Sequence, residues 1–199
     1  LNRFLTQLAS KIYFIFINAG GTVMKVELKM NDKSVRVEMT EEQLKELGLI
    51  EEQRTGYERV KKGEMYYLVD IYNNIMRVTE YNDQGDKQSY STGNYYSNKM
   101  IAENNARADR LLRQLRRWQA ANDRAISAKA WKDGPFCFYN IRYNYWLDTP
   151  YVNMDVDRGL NNVYFTSEEK AKEAIKVFED ELIWYFTEYV QRLDEVQNG

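Results

Sequence analysis

The chain has 199 residues, with 28 Lys or Arg against 30 Asp or Glu and a formal net charge of -2. It therefore has no chain-wide bias toward nucleic acid and is not a uniformly acidic mimic of DNA. It contains no histidine and one cysteine, Cys137, which excludes an intrachain disulfide and argues against a structural zinc site.

The length is enough to bury a core, in one domain or two small ones. Tyrosine is plentiful, at 16 copies, and its apolar ring and polar tip suit half-buried sheets and interfaces. Residues 1–23 contain the apolar run IYFIFI after Arg3 and Lys11. The uninterrupted part is too short to span a bilayer, and no membrane role is expected. An ordered strand or helix, a leader or added segment ahead of a start at Met24, and a targeting signal all remain open for it.

Residues 24–60 open with KVELK and VRVEM around Asn31–Asp32, the pattern of a β-hairpin. TEEQLKELG then predicts a short helix stopped at Gly48. In residues 61–130, YYLVDIYNNIMRVTEY predicts two strands joined at Asn73–Asn74, and NDQGDKQSYSTG an exposed loop. NYYS predicts a short strand, and Ser97 is the expected cap of a long helix reaching toward Ala130.

Residues 131–199 supply aromatic strands, GPFCFYNIRYNYWLD and YVNMDVD, then VYFTSEEKAKEAIKVF. The last reads as a strand entering a helix, with Thr166 as cap and Glu169 at the N3 position of a capping box. Gly63 and Gly134 precede Tyr66–Tyr67 and Cys137–Phe138 at the same distances, and Tyr95–Tyr96–Ser97 parallels Tyr164–Phe165–Thr166. The expected fold is α+β: a small N-terminal hairpin-helix segment, then two related antiparallel-sheet-plus-helix modules joined by a long amphipathic helix.

On that long helix Ile101, Ala108, Leu112, Leu115 and Ile126 share one face, and Arg110, Arg113, Arg117 and Arg124 gather opposite. An arginine face can grasp phosphates, dock on an acidic protein surface, or lie solvated against the acidic C-terminal helix. Tyr139, Tyr143 and Trp146, near Arg142, are candidate aromatic contacts, although strand alternation puts them on two faces. Cys137 sits in an aromatic strand pattern and reads as buried rather than nucleophilic. Asp155 and Asp157, with Asp148 upstream, could hold Mg²⁺, but solvent-facing acids account for them more simply. No phosphate-cradling glycine motif occurs. No catalytic residue, metal ligand or cofactor is expected, and the chain reads as a non-enzyme.

TEEQLKELGL, TGYERVKKGEMYY, GNYYSNKMIAE and NVYFTSEEKAKEAIKVFEDELIWYF together resemble small accessory proteins of Firmicutes phages and prophages, over most of Met24 to Tyr189. The resemblance implies a cytoplasmic protein of the infected or lysogenic host that counters host defence, as an anti-CRISPR does. The expected mechanism is stoichiometric binding and occlusion of an effector nuclease or its nucleic-acid complex. Arg110, Arg113, Arg117 and Arg124 would make the contacts. The alternatives are an accessory DNA- or RNA-binding protein and a host-protein interaction module. A homodimer is also admitted.

Overall fold

Residues 12–18, 23–30, 33–40, 43–44, 54–133 and 137–197 are described by the computed structural model, and the chain divides into two units, Leu1–Gln53 and Arg54–Gly199. In the first, β1 (Ile12–Asn18), β2 (Val23–Met30) and β3 (Lys33–Thr40) form an antiparallel sheet in that order. The β2–β3 ladder runs to Met30 opposite Lys33, so the expected hairpin forms; Asn31 and Asp32 lie outside the described residues. Thr40 and Gln43 then cap each other: the Thr40 N–H donates to Gln43 Oε1 (2.9 Å) and the Gln43 N–H to Thr40 Oγ1 (3.3 Å). Gln43 and Leu44 are helical, and the remainder of the expected helix lies outside the described residues.

The second unit is α+β and carries two sheet-plus-helix modules. Its elements are β4 (Met65–Val69), β5 (Ile75–Thr79), α1 (Gln84–Ser91), α2 (Lys99–Asn122), α3 (Ala128–Asp133), β6 (Phe138–Asn144), β7 (Thr149–Asp155), α4 (Glu168–Thr187) and α5 (Leu193–Gln197). Each module is a two-stranded antiparallel ladder whose first strand also pairs with a single aromatic residue just ahead of a helix. Tyr67 bridges Tyr96, and Tyr139 bridges Phe165. The counterpart of Tyr66–Tyr67 is thus Phe138–Tyr139, one residue later than the glycine spacing predicted.

One helix serves two cores. The start of α2 buries Ile101 and Ala102 with Tyr96, against Tyr57, Tyr67, Val69 and Ile75. Its second half buries Leu111 and Leu115 with Phe165, Ala171, Ala174 and Leu182. The helix has 24 residues, about 36 Å, and stops at Asn122 instead of continuing toward Ala130. Asp123 leaves the helical conformation because its carboxylate is drawn to α4, accepting the Thr166 N–H (2.7 Å) and the Thr166 hydroxyl.

Both long helices begin one residue later than expected, at Asn98 and Ser167. In each case the preceding hydroxyl is tied to a carboxylate far upstream in the chain. Thr166 holds Asp123, and the Ser97 hydroxyl donates to Glu58 (2.9 Å). Glu58 also accepts from the Thr55 N–H, the Thr55 hydroxyl (2.7 Å) and the Gly56 N–H (3.0 Å). Gly56, at φ +96°, packs so closely that a Cβ there would stand 2.8 Å from Ile101 Cγ1. The polar stretch expected as a loop contains α1 instead. Asp83 and Asp86 cap each other's backbone N–H groups, a capping box with Asp in the place usually taken by Glu or Gln. Asp86 is also buried, where it takes the Tyr66 hydroxyl (2.9 Å) and the Tyr81 N–H (2.8 Å).

Ile101→Ala and Leu115→Ala each remove a buried side chain from a different core and should cost about 2–5 kcal/mol apiece. Because α2 belongs to both, urea unfolding of residues 54–199 should remain a single transition in each variant. Burial raises the Glu58 pKa, but its four donors outweigh that and hold it at about 2, against an ordinary 4.5. A depressed folded pKa means stability that is present above pH 4.5 and lost as pH falls toward 2. Glu58→Gln should cost about 1.5–3 kcal/mol at neutral pH and flatten that acid dependence in urea titrations.

Candidate functional site

Arg110, Arg113 and Arg117 project from the exposed side of α2; at 100° per residue they fall within an arc of about 60°. Among the described residues, none of the three lies within ion-pair distance of a carboxylate. The interhelical pairing with α4 belongs to Arg107. It donates Nε and Nη2 to Glu181 (2.9 and 3.1 Å) and lies 3.9 Å over the Trp184 ring. That pairing, helped by burial-opposing charge from Arg110, holds Glu181 below the usual carboxylate range. Arg124 lies past the end of α2, so it is not part of the helical row. It is exposed; its N–H donates to Asp123 Oδ1 (2.7 Å) and its carbonyl accepts from Gln119 Nε2 (3.2 Å).

The tip of the β4–β5 hairpin meets this row, a feature that the sequence reading did not single out. Asp70 organises the turn by accepting the N–H groups of Tyr72 (2.8 Å) and Asn74 (2.7 Å). The Asn74 N–H is the leading cause that lowers its pKa. Asn73 adopts φ 70°, a conformation asparagine tolerates, and the turn leaves Ile71 90% and Tyr72 78% exposed. The Asn73 side chain turns back to α2. Its Nδ2 donates to the Ala106 carbonyl (3.2 Å) and its Oδ1 accepts from Arg113 Nη2. The cleft formed here, of about 450 Å³, is lined by Asp70, Ile71, Asn73, Asp109 and Arg113 among others.

The three expected aromatic contacts separate. Tyr139 packs against the Leu111–Leu182 core. Tyr143 is 8% exposed, stacks on Phe186 and donates its hydroxyl to Asp148 (2.6 Å); that bond, with burial, pushes the phenol up to about 12. Trp146 is 97% exposed, on the β6–β7 tip beside exposed Tyr145 and Leu147. Asp155 accepts from Asn140 (2.6 Å), Arg142 (2.9 Å) and Asn153 (2.9 Å). Burial raises its pKa, but these donors outweigh it and leave the pKa lowered. The buried Glu80 is also satisfied. It pairs with Arg59 (3.0 Å), which holds it below the usual range, and accepts the Tyr95 hydroxyl (2.8 Å). Among the described residues no group of three or more acidic or cysteine side chains is placed to hold a metal ion, and no helix is long and apolar enough to cross a membrane.

Comparison with protein-family models, with curated proteins and with solved structures gives no significant match.

Asn73→Gly keeps the positive φ available while removing both anchoring hydrogen bonds. The amides of Ile71 and Tyr72 should then show larger-amplitude motion in ¹⁵N relaxation, while global stability changes by less than about 1.5 kcal/mol.

Proposed function

We propose that the chain is a stoichiometric binding protein that covers a functional surface of a host defence effector nuclease. Arg110, Arg113 and Arg117 would supply charge-assisted hydrogen bonds, and Ile71 and Tyr72 the apolar anchors. The observation that supports this reading is the Asn73–Arg113 hydrogen bond, which joins an exposed apolar tip to the arginine row as one patch. Arginine and tyrosine are the residue types that most often dominate binding energy at such patches.

The target class comes from the resemblance of the chain's motifs to phage accessory proteins. Asp70 and Asp109 line the same cleft as Arg113; acids beside the guanidinium favour a protein surface carrying both signs over a phosphate backbone. Occlusion requires neither a nucleophile nor a metal. A second reading, direct binding of DNA or RNA, is favoured by Arg116 and Arg158, which line a cleft of about 230 Å³ together with Trp131.

Affinity capture from infected host lysate, with and without nuclease treatment, separates the two. Retention of an effector nuclease after treatment supports protein-directed inhibition, and recovery of nucleic acid alone supports the second reading. Against the captured effector, changing Arg110, Arg113 and Arg117 together to Gln should weaken binding by about 10- to 100-fold with an unchanged circular dichroism spectrum. Lys176→Gln, on α4, should leave affinity unaltered. Equal affinity for the triple variant rejects the arginine row as the contact.

A further inference from the structure

The two modules close the outer edge of their first strand differently. In the first, Tyr67 and Tyr96 exchange backbone hydrogen bonds (2.8 Å each). Two residues further along β4, the outward-facing backbone groups of Val69 are met by a side chain. The Val69 N–H donates to Asn94 Oδ1 (2.8 Å), and Asn94 Nδ2 donates to the Val69 carbonyl (2.8 Å). The carboxamide of Asn94 thus sits where the peptide group of another strand would sit.

In the second module Tyr139 and Phe165 exchange the same bonds (3.0 and 2.8 Å). Ile141 stands two residues beyond Tyr139, as Val69 stands beyond Tyr67. Val163 stands two residues before Phe165, as Asn94 stands before Tyr96. Valine has no amide to offer. The ladder to β7 uses alternate residues, and since Tyr139 faces Phe165, the N–H and C=O of Ile141 also point away from β7. Among the described residues they meet no hydrogen-bond partner.

This edge opens on a cleft of about 410 Å³ lined by Ile141, Leu111, Leu115, Leu182, Tyr185 and Phe186 among others. Such a volume falls in the range of ligand sites. Asn140, 2% exposed, also lines the cleft. Its Nδ2 is held by Asp155 (2.6 Å), and its Oδ1 is buried with no hydrogen-bond partner among the described residues. A buried acceptor left unpaired is costly, and the second module carries that cost beside its open edge.

We infer that the cleft between β6, α2 and α4 binds an extended peptide segment of a partner protein, which adds to the β6 edge at Ile141 and places an apolar side chain among Leu111, Leu115, Leu182 and Phe186. One peptide group would exchange hydrogen bonds with Ile141 as the Asn94 carboxamide does with Val69. The neighbouring apolar wall would give selectivity for the flanking residue. The inference does not use the arginine row, which projects from the opposite side of α2, and it stands or falls independently of the target proposed above.

The probe is the capped peptide Ac-Val-Leu-Val-NH₂, titrated into the full chain and followed by amide chemical shifts and hydrogen exchange. The Ile141 amide should shift and gain protection. The same peptide with methylated backbone nitrogens, which keeps the side chains but removes the N–H donors, should bind at least about tenfold more weakly, as expected for losing the edge pairing. Val163→Asn, which copies the first module, should slow Ile141 exchange without peptide and weaken peptide binding to a similar degree. Conversely, Asn94→Val should speed exchange at Val69. An Ile141 amide that ignores the peptide, or responds equally to the methylated form, overturns the inference; so does a folded Val163→Asn chain that binds the peptide undiminished.

Discussion

The second unit depends on α2 serving two cores with successive parts of one helix. Ile101 and Ala102 are committed to the first module, and Leu111 and Leu115 to the second. An α-helix is stiff over such a span, so fixing either end in its core restricts the other. On the side that carries the arginines Ala102 and Ala106 are still buried, and from Arg110 onward that side is exposed. The two proposed binding surfaces follow from this division. One uses the outward side, and the other uses the apolar side where the second module leaves a gap beside β6.

Carboxylates act as distance clamps around this helix. Glu58 gathers residues 55 and 56 onto Ser97 at its start, and Asp123 carries its end to Thr166 at the entrance of α4. Arg107 and Glu181 pin the middle. Each is a charge-assisted contact, stronger than a neutral hydrogen bond. Their long sequence separations explain why the two helix entrances were misplaced by one residue. Ser97–Asn98 and Thr166–Ser167 each offer two competent caps, and local preference does not rank them. The remote carboxylate claims the hydroxyl of the first residue and leaves the second residue, Asn98 or Ser167, to cap.

The repeated module also shows how similar folds acquire different surfaces. Asn94 and Val163 occupy matching positions, yet only asparagine can close a strand edge with its own side chain. Tyr66 and Tyr95 stack with ring centroids 4.0 Å apart, whereas Phe138 and Tyr164 contact Trp131 from the connecting helix. The first module closes its strand edge with the Asn94 carboxamide and leaves a polar cleft beside it. The other keeps an edge and an apolar cleft.

Periodicity and turn chemistry made much of the architecture readable from residues alone: the β2–β3 hairpin, the paired strands, the two long helices and the α+β arrangement all follow from interactions between near neighbours in the chain. The parallel between Tyr96 and Phe165 was visible in the same way. Helix α1 was missed because its polar composition resembles a loop, and Asp86 gains its stabilising partner, Tyr66, only after folding. Exposure of Arg113, burial of Tyr143 and the meeting of Asn73 with α2 were likewise decided by tertiary structure. A sequence pattern assigns a residue to a side of its own helix or strand, but which neighbouring element covers that side depends on packing between distant segments.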